Sequence, residues 1–147
     1  MRMSKDEILH KEIDLIQACI NRMANNSFLL KGWAISLVAV VLALAKENVN
    51  FTLLSIILLI PILSFWYLDA FFLRTEKMYR KMYEWVISNR QNSDERMYEL
   101  NPKKYESEVE STFAVIRSKT LRTFYGIPTL ILIGIIVYNL FPNLFSC

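Results

Sequence analysis

Asp69 is the residue most able to carry chemistry, because it ends an otherwise uncharged run from Phe51 to Leu68. An ionisable side chain inside a stretch apolar enough for a bilayer is costly, so it pairs with a counter-charge or faces water. Arg74 follows it by about one helical turn. Lys31, at the edge of a neighbouring apolar stretch, is the counter-charge expected across helices. Two roles are open to Asp69: an interfacial salt bridge that closes helix packing, or a charge facing a water-filled path. Asn21, Asn25 and Asn26, followed by Ser27, form a second polar group. Asn21 and Asn25 share a helix face. Amides at a membrane entrance either bond across helices and fix an assembly, or sit hydrated among headgroups.

Other chemistry is poorly provided for. His10 is the single histidine and has no cysteine or histidine at metal-ligand spacing, so a solvated side chain is the simpler reading. Gly32, Gly126 and Gly134 are the only glycines, too few and too scattered for a phosphate loop, and no serine sits in a nucleophile-elbow pattern. Glu106, Glu108 and Glu110 have Lys103 and Lys104 beside them and read as a solvated helix face. No catalytic, cofactor-binding or metal site is expected, and the chain is not read as an enzyme.

These residues are placed by three long apolar stretches, Phe28–Ala45, Phe51–Phe72 and Phe124–Phe145. The chain has 147 residues, 54% of them hydrophobic, which is high for a soluble domain. A helical crossing needs about 20 mostly apolar residues. The first stretch meets this by including Lys31, whose ammonium can snorkel to the interface. Trp33 beside it suits the aromatic belt. Ala43-Leu44-Ala45 imitates a signal-peptide cleavage site, but about thirty mixed-charge residues precede the stretch, unlike a short basic n-region. Of the seventeen Lys and Arg, only Lys46 falls in the link between the first two stretches, and nothing charged follows Arg122. The positive-inside rule therefore puts the N-terminus in the cytoplasm and the C-terminus outside the inner membrane. Cys19 and Cys147 are then on opposite sides. Acidic residues are mixed through the basic segments and the net charge is +3, so no nucleic-acid surface is indicated.

The fold class expected is all-α and integral to the membrane, with three transmembrane helices and cytoplasmic helical extensions in a single membrane domain. Residues 4–27 read as an amphipathic helix opening on the capping box Ser4-Lys5-Asp6-Glu7. Leu9, Ile13, Ile16, Ile20 and Met23 form a heptad seam, for packing within the chain or for a coiled coil between copies. Spans are expected at 28–45, 51–72 and 124–145. Asn50-Phe51-Thr52 matches a glycosylation acceptor by accident of position. Pro61 is expected to kink the second span. Residues 74–122 read as a helical hairpin. Its first limb carries Met78, Met82, Trp85 and Val86 to a break at Asn89–Asp94. Its second starts at Asn101-Pro102 and aligns Tyr105, Val109, Phe113 and Ile116 on one face.

The segment Arg22-Met23-Ala24-Asn25-Asn26-Ser27-Phe28-Leu29-Leu30-Lys31-Gly32-Trp33 resembles the entry to the first span in small bacterial membrane proteins. The layout resembles the SLATT-type membrane domains of anti-phage effectors, in which a helical hairpin crosses the bilayer and continues inside. A third span exceeds that two-span plan. The resemblance implies a protein that permeabilises the membrane when a partner senses infection, and it carries over no catalytic or ligand residue. The expected function is therefore an oligomeric pore-forming effector in the lipid bilayer, answering a cytoplasmic signal in antiviral defence. The alternative is a scaffold or anchor for a soluble cytoplasmic partner. A transporter is disfavoured by size and by the single charge of buried type.

Overall fold

The computed structural model describes residues 4–44 and 50–141. The Lys46–Val49 part of the first link, the end of the third stretch and Cys147 lie outside these residues. All regular structure among the described residues is helical. Helix α1 spans Lys5–Leu44 and α2 spans Phe51–Asn89. At 1.5 Å per residue each is nearly 60 Å long, about twice the hydrocarbon thickness of a bilayer. Three helical segments are long and apolar enough to cross a membrane: one in α1, one in α2, and one over Lys119–Leu140.

Local chemistry explains where the helices start. The Ser4 Oγ accepts from the Glu7 N–H at 3.2 Å, and the Glu7 carboxylate accepts from the Ser4 N–H at 2.9 Å. That reciprocal pair is the expected capping box. Asn50 does the same for α2: its Oδ1 accepts from the Thr52 and Leu53 N–H groups at 3.0 and 3.2 Å. The amide of the sequon-like triplet is thus a helix cap.

The seam packs within the chain. Ile16 and Met23 join Met78, Tyr79, Met82 and Val86 of α2 in one apolar core, with Leu9 and Ile20 packed against it. Continued at the same spacing, the face buries Ser27, Leu30 and Ala34. A second core, around Ala34, Ile62, Ala70, Leu121 and Tyr125, joins all three apolar segments.

The return limb departs from the expected continuous helix. Asn101 does cap a helix with Pro102 at its first turn, but that helix is a 3-10 segment, Pro102–Glu108. Val109 is extended, and a fresh start at Ser111 opens the short α3, Thr112–Ile116. Then come α4 (Lys119–Leu121), a π-helical turn over Arg122–Gly126, and α5 (Ile127–Leu140). The reason lies in competition for carbonyls. The Arg74 Nε donates to the Glu110 carbonyl at 2.9 Å, a group that a continuous helix would give to the Ala114 N–H. The Ser111 Oγ takes that N–H instead, at 3.3 Å. As a result Phe113 points outward and is 63% exposed, rather than lining a face with Tyr105. Glu106 and Glu110 are not merely solvated: they pair with Arg74 (2.8 Å) and with Lys77 of α2.

Candidate functional site

Asp69 is fully buried where the three apolar segments meet. Its Oδ2 accepts from the Lys31 Nζ at 2.5 Å and from the Tyr125 hydroxyl at 3.0 Å. Its Oδ1 accepts from the Ser27 hydroxyl at 2.5 Å. The Lys31 ammonium also donates to the Ser27 Oγ at 2.8 Å and to the Ser27 carbonyl at 3.4 Å. Lys31, Ser27 and Asp69 therefore close a ring in which the ammonium's three protons each have an acceptor.

Each member is placed by its element. Ser27 and Lys31 stand one turn apart on α1, Asp69 faces them from α2, and the π-helical turn brings Tyr125 round from the third segment. A wide turn suits this point, because Pro128 has no N–H to give the Phe124 carbonyl. Trp66 stacks on Tyr125, with centroids 6.2 Å apart and planes at 17°, and its Nε1–H donates to the Ile116 carbonyl at 3.1 Å. Together these contacts fasten the return limb and the third segment to α2 near the edge of its apolar stretch.

The Lys31–Asp69 contact is thus a salt bridge, the first of the two alternatives set out above. With Asp69 closed from solvent and its counter-ion in contact, the cluster is neutral and internally satisfied. Beside it an open recess of about 280 Å³ is walled by Ala34, Val38, Ile62, Phe124, Tyr125 and Pro128. Its apolar lining offers no ion a replacement for hydration.

The three asparagines take no part. Asn21 and Asn25 are exposed and Asn26 is half-buried, with no side-chain hydrogen bond among the described residues. Asn21 and Asn25 lie away from the Met23–Ser27–Leu30 face, so any helix contact through them is with another molecule. Ser27, next in sequence, is the polar residue that crosses to α2. No protein-family model, curated protein or solved structure matches this chain.

A second buried ionic cluster lies at the far end of α1 and α2. Arg90 and Glu12 form a bidentate pair whose side chains are 2% and 3% exposed. The Arg90 Nη2 donates to the Glu12 Oε1 at 2.9 Å, and its Nε donates to the Oε2. The other guanidinium protons go to the Ser93, Glu95 and Arg96 carbonyls at 3.0, 2.7 and 3.3 Å. All five donors are used. Glu12 also accepts from the Tyr98 N–H at 2.6 Å. Arg96 and Tyr98 hold positive φ, 58° and 56°, a conformation that costs a side-chain-bearing residue on the order of 1–3 kcal/mol. Sequence reasoning passed over this cluster, although one signal was available: Glu12 falls in phase with Leu9 and Ile16, a charge on a buried seam.

Proposed function

We propose that this protein is an oligomeric membrane effector whose assembly opens or disrupts the bilayer in response to a signal received by its cytoplasmic helices. In this reading it sits in the inner membrane with its N-terminus inside, and the resemblance of its layout to SLATT-type membrane domains supports a role in bacterial defence. One observation carries it: α1 and α2 run unbroken from their polar half into the apolar segments and are tied together at both ends of that polar half. Glu12–Arg90 joins them at one end, and the Asp69 cluster joins them at the other. A push on the polar half of such a pair is passed to the apolar half as rigid motion. A single copy has three candidate spans and encloses no path, so conduction needs several copies.

Release of a trapped dye from vesicles holding the purified protein tests the reading. Wild-type protein should release dye, with a steep dependence on protein-to-lipid ratio, and Asp69→Ala and Lys31→Ala should shift that dependence. Sealed vesicles at every ratio, with the protein inserted and folded, would refute it. A second reading, a scaffold for a soluble partner, is favoured by apolar side chains left open on the polar half: Leu15, Ile87 and Met97. A protein that copurifies through residues 74–122, with vesicles intact, would establish the scaffold.

A further inference from the structure

No Asp or Glu follows Glu110 in this chain, whereas Arg117, Lys119 and Arg122 do. The other fourteen Lys and Arg are matched by the fourteen Asp and Glu, so these three residues account for the whole formal charge of +3. The excess is therefore local. Seven of the bases elsewhere are tied up: Lys31, Arg74, Lys77, Arg80, Lys81, Arg90 and Lys104 all pair with carboxylates of other residues. Among the described residues no carboxylate pairs with Arg117, Lys119 or Arg122, and all three are exposed. Arg117 lies over the Phe113 ring, 4.6 Å from its centroid.

Their height along the bundle identifies the partner. The Trp66 indole holds the Ile116 carbonyl, Leu121 and Val115 share a core with Ala70, and Tyr125 reaches Asp69. The segment from Val115 to Tyr125 is thus pinned against Trp66–Ala70, the last turns of the apolar stretch in α2. At that level the three cations stand among phospholipid headgroups rather than in bulk water. The exposed Phe113 stands beside them as an apolar anchor. Basic residues held at this depth attract anionic lipid.

We infer that residues 111–122 form a binding surface for anionic phospholipid, with Arg117, Lys119 and Arg122 on the phosphate and Phe113 among the upper acyl carbons. The inference rests on membrane placement of the apolar segments, but not on pore formation.

Lipid retention by the detergent-purified protein, followed by native mass spectrometry and by Tm, tests it. Phosphatidylglycerol should stay bound and raise Tm, while phosphatidylcholine should do neither. The Arg117→Gln/Lys119→Gln/Arg122→Gln variant should weaken phosphatidylglycerol binding by roughly a hundredfold, a several-fold loss per base. Arg22→Gln, at an exposed base elsewhere on α1, should leave it unchanged. Equal retention of both lipids, wild-type binding by the triple variant, or the same stabilisation by inorganic phosphate would overturn the inference. Should the triple variant not fold, amide exchange of the wild-type protein in nanodiscs decides. Exchange over residues 111–122 should be slower in phosphatidylglycerol than in phosphatidylcholine, and equal exchange would overturn the inference. Protein that enters neither bilayer would instead overturn the membrane placement itself.

Discussion

The Asp69 cluster shows how a buried charge is made tolerable by neighbours rather than by solvent. The carboxylate takes three donors from two other segments, and one of them, Ser27, relays a second contact from Lys31. Removing one partner strands the rest, which for a buried pair costs about 3–5 kcal/mol. Lys31 keeps 23% of its side-chain exposure, so the lower end of that range applies when Asp69 is the residue removed. Asp69→Asn should lower stability by about 3 kcal/mol in denaturant titration of the micellar protein. The double variant Asp69→Leu/Lys31→Met should lose less than the sum of its singles, with a coupling of about 1–3 kcal/mol. Strict additivity would mean the two residues do not act as a pair. The Lys31–Asp69 partnership was legible in the sequence, because two opposite charges at the same edge of adjacent apolar stretches have few other partners. Ser27 was legible in part, lying in phase with the seam. Tyr125 was not, since nothing local marks one tyrosine of seven as the one that a π-helical turn will aim inward.

Among the elements, α1 and α2 obey local rules and the return limb does not. A capping box, a steady apolar period and the absence of Gly or Pro before Gly32 make α1 what its sequence says. The return limb also carries a cap at Asn101 and an apolar period, yet a side chain from α2, Arg74, takes the carbonyl that a continuous helix would have used. The loop after α2 is similarly governed from a distance. Glu12, on the first helix, neutralises Arg90, and Arg90 then gathers the Ser93, Glu95 and Arg96 carbonyls. Glu12→Gln should therefore unfasten a loop that reaches Tyr98, 86 residues away in sequence. Amide exchange at residues 93–98 should speed up by an order of magnitude or more, and global stability should fall by about 3 kcal/mol. Unchanged exchange at Tyr98, whose N–H donates to Glu12, would show that the loop holds its shape without the pair.

For the whole molecule, the buried share of each candidate span is small: 17% of the apolar window in α1, 17% in α2 and 22% in the third. Most of each apolar window is therefore left uncovered within a single copy, which is the surface that the proposed assembly in a bilayer would use. Topology can be checked with an impermeant thiol reagent on intact cells. Cys19 should be spared until the membrane is permeabilised, and Cys147 should label directly; labelling of Cys19 from outside would reverse the orientation. What the sequence by itself determined is the helical class, the three candidate spans and the seam, because hydropathy and helical period act over short separations. Only the tertiary structure decided that Asp69 is sealed, that Glu12 belongs to Arg90, and that the return limb breaks against α2. Each of those outcomes depends on which donor reaches which acceptor across elements. That is a matter of three-dimensional register, and no run of neighbouring residues encodes it.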